Sequence, residues 1–254
     1  MDSSFDGRTI LITGGASGIG AETGRLLGSK GANVALVDLS DQVNIVAEEV
    51  RSAGGVCHAY RADIASENDV ERVIAAILEK YGRIDGAFNN AGVEQSGLPM
   101  ADLSAEQWDR ALRIDLTGVF YCMKHEIRAM LKAGGGTIVN TASALGVVAM
   151  KNAAEYVAAK HGVIGLTRAA AVDYGRHGIR VNAIMPGVVN TPMVARLGKA
   201  SGSSDMFDAI REAHPIGRPA EASEISDAAL WLLSDSSSFV TGAAIAVDGG
   251  YSAV

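Results

Sequence analysis

The stretch Thr9–Leu27, TILITGGASGIGAETGRLL, decides how this chain folds. Its opening residues, Thr9–Thr13, are nearly all apolar, the pattern of a strand buried on both faces of a parallel sheet. Gly14, Gly18 and Gly20 follow at G-x-x-x-G-x-G spacing, and a helical pattern starts at once. Strand, glycine-rich turn and helix in immediate succession give a tight turn and a backbone that can approach a pyrophosphate. They also give a helix N-terminus whose N–H groups face an anion. Ser17 and Ile19 lie inside the same predicted cradle. A glycine turn alone is weak evidence, since many are only turns. The context strengthens it: the next strand, Asn33–Asp38, ends in an acid 18 residues after Gly20. A carboxylate at that place accepts hydrogen bonds from an adenosine ribose 2′-OH. It also repels a 2′-phosphate, because like charges about 4 Å apart cost roughly 1–4 kcal/mol between water and a protein surface. No Arg or Lys lies in the loop or directly after Asp38, where Leu39 and Ser40 follow. NAD is therefore predicted over NADP. Asp38 could instead cap the next helix, a role equally open to Ser40 or Asp41.

Beyond this unit, short strand-like runs alternate with longer helical patterns. The predicted strands are Arg8–Thr13, Asn33–Asp38, Val56–Arg61, Gly86–Asn89, Thr137–Thr141, Arg180–Ile184 and Ala244–Val247. Between them apolar residues recur at helical spacing, as at Val70, Val73, Ile74, Ile77 and Leu78. The alternation predicts an α/β fold: a Rossmann-like, doubly wound parallel sheet of about seven strands with helices on both faces. No repeat or linker divides the chain, so residues 1–254 are expected to form one dinucleotide-binding catalytic domain. The Ser/Gly-rich stretch Gly198–Asp205 suits a mobile loop over a site, within a substrate lid around 191–217.

Composition excludes several classes. A hydrophobic fraction of 48% against 20% charged residues is globular rather than disordered. With 22 basic and 29 acidic residues the formal charge is −7, the wrong sign for non-specific nucleic-acid binding. No apolar run approaches the ~18 residues of a membrane span. The acidic opening MDSSFDG resembles neither a secretory signal nor a transit peptide, and two cysteines, Cys57 and Cys122, suit a reducing compartment. A cytoplasmic location is expected.

Tyr156 and Lys160, in YVAAK, stand four apart on one helical face. Ser143 follows the strand ending TIVNT, at the carboxyl edge where open α/β sheets bind ligands. Such Y-x-x-x-K pairs are common by chance, so the chemistry must justify the set. A free phenol, with pKa about 10, is a poor base near neutral pH. A nearby ammonium favours the phenolate, and a serine hydroxyl can hold the substrate oxygen while the tyrosine exchanges its proton.

With these residues in view, the chain resembles the short-chain dehydrogenase/reductase family over essentially its whole length. The resemblance rests on TGGASGIG (Thr13–Gly20), NNAG (Asn89–Gly92), Ser143 with Y-x-x-x-K, RVNAIMPG (Arg180–Gly187), VNTPM (Val189–Met193) and VTGAAIAVDGG near the end. It implies Tyr156 as general acid/base, Lys160 as the group that binds the nicotinamide ribose and lowers the tyrosine pKa, and Ser143 as the group orienting substrate. It further implies Asp63 and Ile64 beside the adenine, Asn90, Ala91 and Gly92 along the cofactor, and Pro186, Gly187, Val189 and Thr191 around the nicotinamide, with Val189 and Thr191 anchoring its carboxamide. Asn89 and Asn182 are expected to be structural, and a homotetramer built on the central helices and the C-terminal helix and strand is implied.

There is one departure from the family pattern. The family's N-x-x-G-x-F segment, whose asparagine supports a proton-relay water, reads Asp115-Leu-Thr-Gly-Val-Phe120 here. A main-chain role could survive the change, or a carboxylate near Lys160 could alter the pH profile; Asp115 is kept as a catalytic candidate. Leu145, Met150 and Met193 are expected to form an apolar substrate wall, continued by Leu197, Met206, Phe207 and Ile210. Glu94, Gln95 and Glu155 are the polar groups best placed to read a second hydroxyl. The five histidines carry no metal-ligand spacing and are expected to be packing residues. Trp231, Leu232 and Leu233 are expected in the core. FNNAG, EYVAAKHGVIGLTR and HPIGR further resemble bacterial dehydrogenases of cyclic alcohols and diols, including the chlorinated cyclohexadienediol group. The function expected is NAD-dependent interconversion of a secondary, cyclic alcohol or diol and its ketone. The alternatives are a 3-oxoacyl-carrier-protein reductase, a hydroxysteroid dehydrogenase and a non-catalytic cofactor-binding relative.

Overall fold

The structure, a computed structural model, describes residues 5–201 and 212–254. Seven strands form one sheet with every pair parallel: β1 Thr9–Thr13, β2 Asn33–Asp38, β3 Val56–Arg61, β4 Gly86–Asn89, β5 Gly136–Thr141, β6 Ile179–Pro186 and β7 Ala244–Val247. Their order is β3-β2-β1-β4-β5-β6-β7. The helices are α1 Gly18–Ser29, α2 Val43–Ser52, α3 Glu67–Tyr81, α4 Ala105–Leu112, α5 Val119–Ala133, α6 Ala154–Tyr174, α7 Pro192–Ser201 and α8 Ala222–Leu233. The expected doubly wound α/β architecture is the one observed. β6 runs two residues beyond its predicted end, because β7 holds Met185 and Pro186 in register with Ala246 and Val247.

The period-2 alternation of strand side chains divides the core between the two faces. On β1, Leu11 packs with Val37, Ile77, Met130 and Val163 under α3, α5 and α6. Its neighbours Ile10 and Ile12 point the other way and pack with Leu27, Val46, Ile225 and Leu232 under α1, α2 and α8. Both clusters are closed to water, which explains why TILIT has no polar alternation. α8 corrects one expectation. Leu232 and Leu233 are fully buried, but Trp231 is 42% exposed. Three consecutive helical residues fan over about 200°, more than one packed face can cover.

The chain leaves β1 toward β2 and β3, then returns to place β4 on β1's other side. The carboxyl ends of β1 and β4 therefore flank a topological switch point, the place where open α/β sheets bind ligands. Among the described residues no helix is long and apolar enough to cross a membrane.

Candidate active site

The glycine turn sits at this switch point, and each glycine has a separate steric reason. Gly14 (φ 70°) and Gly18 (φ 55°) occupy the left-handed region, where side chains are strained. A Cβ on Gly14 would also meet Ala91 Cα at 2.9 Å, and one on Gly18 would meet Thr191 Cγ2 at 3.2 Å. A Cβ on Gly20 would collide with the Gly14 carbonyl oxygen and come within 2.8 Å of Asn90 Nδ2. The turn is thus pressed against the loop after β4. Thr13 Oγ1 accepts the N–H groups of Asn90 (3.0 Å) and Ala91 (3.1 Å), which locks the two loops together.

Asp38 ends β2 beside this turn. Its Oδ2 accepts the Ala16 N–H at 3.0 Å and its Oδ1 accepts the Ser40 N–H at 2.9 Å. It does not cap α2, whose N-cap residue is Gln42. Arg61, not anticipated from the sequence, lies opposite Asp38 in the β2–β3 register. Its guanidinium is turned aside: Nε donates to the Leu39 carbonyl at 3.1 Å and lies 3.5 Å from Asp41.

Ser143, Tyr156 and Lys160 converge at the carboxyl edge of β5. Ser143 is extended, and its Oγ accepts the Leu145 N–H at 3.1 Å. Tyr156 and Lys160 come from the first two turns of α6. Lys160, 3% exposed, donates to the Thr141 carbonyl at 3.1 Å and sits 5.4 Å from the centre of the Tyr156 ring. Asp115 lies in a π-turn, Arg113–Gly118, that joins α4 to α5. It is fully buried and places Oδ1 3.7 Å from Lys160 Nζ. Burial holds the Tyr156 phenol above its ordinary value; Lys160 and Ser143 pull it down, and Asp115 pushes it up. The Lys160 contribution has the expected downward sign, and burial opposes it.

A cavity of about 390 Å³ runs along this edge. It gathers Gly14, Ser17, Gly18, Ile19 and Asp38 at one end and Asn90, Ala91 and Gly92 along one side. Ser143, Tyr156 and Lys160 line it further on, with Pro186, Gly187, Val189 and Thr191 facing them. Leu145, Met150 and Met193 line it too, with Val93 and Gln95. Gly20, Asp63, Ile64 and Asp115 are not among the lining residues. Gly20 packs behind Gly14; Asp63 Oδ1 accepts the Ala65 N–H, and Ile64 packs on Gly118. A left-handed glycine at the mouth of α1, a carboxylate at one end of the cavity and a buried ammonium beyond it form a donor set that fits a dinucleotide. The lid residues Met206, Phe207 and Ile210 lie outside the described residues, as does Gly198–Asp205 from residue 202 onward.

Of the polar residues around the site, the role of His214 was not legible from spacing, while Glu94 and Glu155, expected to read a second hydroxyl, are committed to protein partners. His214 is no mere packing residue: it lines the cavity, and its Nε2 accepts the Val188 N–H at 3.2 Å, bracing the Pro186–Val189 turn. Glu155, 1% exposed, accepts the N–H and Oγ–H of Ser96, both at 2.6 Å, and so pins the loop carrying Gln95 to the start of α6. Glu94 pairs with Arg196 of α7 at 3.3 Å. Beneath the site, Asn89 Nδ2 donates to Glu126 and to Asn140, each at 3.0 Å, and Asn182 Nδ2 donates to the Val240 carbonyl at 2.8 Å.

Residues 14–252 match a family model described as enoyl-(acyl carrier protein) reductase. The chain is a short-chain dehydrogenase/reductase. This short-chain dehydrogenase/reductase is 50% identical over 254 residues to a 2,5-dichloro-2,5-cyclohexadiene-1,4-diol dehydrogenase of Sphingobium indicum, covering 99% of this chain and 100% of that one. It is 43% identical to a cis-4-hydroxycyclohexanecarboxylate dehydrogenase of Sinomonas cyclohexanicum, with 100% of both chains covered. The crystal structure of levodione reductase superposes with a TM-score of 0.94 at 40% identity, over 98% of this chain and 99% of its own. Members of the family bind nicotinamide cofactors, and solved structures of the same fold include one complex with NAD and one with NADPH.

Proposed function

We propose that this protein is an NAD-dependent oxidoreductase that interconverts a secondary, cyclic alcohol or diol and its ketone. The observation that carries the reading is the convergence of Ser143, Tyr156 and Lys160 on the cavity that Asp38 and the glycine turn share. In the oxidation direction, Ser143 Oγ holds the substrate hydroxyl and Tyr156 Oη accepts its proton as the carbinol hydrogen departs as hydride. A bound nicotinamide supplies the hydride acceptor. Lys160, held by the Thr141 carbonyl, presents its ammonium to the phenol and would bind the ribose of a nicotinamide cofactor. The same groups run the reduction in reverse, with Tyr156 giving up the proton. Ser17, Gly18 and Ile19, which line the cavity, would carry the pyrophosphate with Gly20 behind the turn, and Val189 and Thr191 would hold the carboxamide; Asp63 and Ile64, outside the lining, would lie toward the adenine side.

Two observations support NAD over NADP. Asp38 lines the cavity at the end of β2 beside the glycine turn, where its charge would repel a 2′-phosphate, and Arg61 is turned to Leu39 and Asp41. The cyclic substrate is supported by the apolar wall of Leu145, Met150 and Met193, and by the named substrates of the two relatives, both hydroxylated six-membered rings. A single catalytic domain with a lid around 191–217 fits the one continuous sheet. A homotetramer follows from the family resemblance alone. Two buried, unpaired cysteines support a cytoplasmic location.

The test is cofactor reduction, followed by absorbance, with NAD or NADP and a panel of cyclic alcohols, diols, hydroxysteroids and 3-hydroxyacyl thioesters. NAD-dependent turnover of a cyclic alcohol that is lost in Tyr156→Phe is the expected result. A preference for NADP, or for the acyl thioester, would replace this reading with that of a carrier-protein reductase.

A further inference from the structure

Asp115 stands where the sequence resemblance implies an asparagine, and its surroundings are those of an ion-pair partner. Oδ1 accepts the Val93 N–H at 2.9 Å and stands 3.7 Å from Lys160 Nζ, with both side chains out of water. Oδ2 is buried and has no hydrogen-bond partner among the described residues. The pair is packed tightly: a Cβ on Gly92 would lie 2.5 Å from Asp115 Oδ1 and 3.5 Å from Lys160 Nζ. Each element packed around the pair supplies a group that faces it. α6 contributes Lys160 and Tyr156, α4 contributes the more distant Arg110, the turn after β5 contributes Ser143, and the loop after β4 contributes the Val93 N–H.

An amide at position 115 would leave the Lys160 ammonium uncompensated beside Tyr156. A carboxylate cancels it. We propose that Asp115 is a positioning residue that neutralises Lys160 and so sets the pH range in which Tyr156 takes the substrate proton. The proposal rests on the reading of Tyr156 as the acid/base. Asp115 does not touch the cavity; it acts through the charge of Lys160. Its negative charge disfavours the phenolate that Lys160 favours, so this protein works at more alkaline pH than one with asparagine in the same place. Burial raises the Asp115 carboxyl, while Lys160, the Val93 N–H and the more distant Arg110 favour its anion; the ion pair itself is carried by the 3.7 Å approach of Oδ1 to Lys160 Nζ.

The experiment measures kcat/KM for alcohol oxidation at saturating NAD against pH, for the wild type, Asp115→Asn and Tyr156→Phe. It is paired with an ultraviolet titration of tyrosine in the cofactor-free proteins, with Tyr156→Phe isolating the contribution of Tyr156. Asp115→Asn should move the rising limb of the profile about one pH unit to the acid side. On that limb it should then be roughly tenfold faster than the wild type at equal pH. The Tyr156 absorbance transition should move the same way. Asp115→Ser removes the same charge and serves if the asparagine variant does not fold. A purely structural role would lower the rate at every pH with the midpoint in place, and an unmoved or alkaline-shifted midpoint overturns the proposal. Full alcohol oxidation by Tyr156→Phe overturns instead the acid/base reading beneath it.

Discussion

Replacing Glu126 with glutamine should change how stability depends on pH. Glu126 is fully buried on α5, where Oε2 accepts one hydrogen bond from Asn89 and Oε1 has no partner among the described residues. Leu11, Val73 and Ile74 line the small apolar space it shares. A carboxylate needs several donors and here has one, so burial pushes the carboxyl up to about 8 from an ordinary 4.5. Between those two values the folded protein holds a proton that the unfolded chain has released. Stability therefore falls as pH rises through that window, by up to about 1.4 kcal/mol per pH unit, and by about 5 kcal/mol across the whole of it. Below pH about 4.5 both states are protonated and the effect vanishes. Glutamine keeps the volume and an acceptor for Asn89 but does not titrate. Urea unfolding at several pH values and one protein concentration, without cofactor, gives the difference between the two proteins, in which other titrations cancel. Glu126→Gln should gain on the wild type by roughly 1 kcal/mol per pH unit from pH 5 to 8. Parallel curves would refute the reasoning and mean that Glu126 is ionised in the fold.

Three further substitutions address the site. Asp38→Asn removes a charge whose repulsion of a 2′-phosphate is worth roughly 1–4 kcal/mol, so the NADP-to-NAD ratio of kcat/KM should rise at least about fivefold; an unchanged ratio would show that Asp38 does not read the ribose. Gly20→Ala puts a methyl group against the Gly14 carbonyl and should weaken NAD binding at least about tenfold, measured by fluorescence titration, while the thermal unfolding transition stays cooperative. Glu155→Gln replaces the carboxylate in two 2.6 Å bonds to Ser96 and loosens the loop that carries Gln95. Initial-rate kinetics should show a KM for the alcohol raised about fivefold, with NAD affinity held; weakened NAD binding would contradict this division of roles.

Local pattern carried a large part of this protein. Apolar runs such as TILIT and VALV mark strands buried on both faces, and glycines that must turn left-handed or meet another backbone are visible as glycines. Tyr156 and Lys160 share a helical face at a spacing of four, and Asp38 and Ser143 each stand at a strand's carboxyl end. These readings depend on periods of two and 3.6 residues, which the order of residues alone determines.

What only the tertiary structure decided are encounters between elements far apart in the chain. The β2–β3 register sets Arg61 opposite Asp38, yet side-chain geometry turns it toward Asp41. Trp231 is exposed because α8 has one packed face, and His214 reaches the cavity to brace the turn after β6. As a motif, Asp115 was only an asparagine replaced. The π-turn between α4 and α5 and the packing of α6 bring its carboxylate to within 3.7 Å of Lys160, out of water. Burial and distance give a charge its energy, and both come from how helices pack on the sheet rather than from any residue's neighbours in sequence.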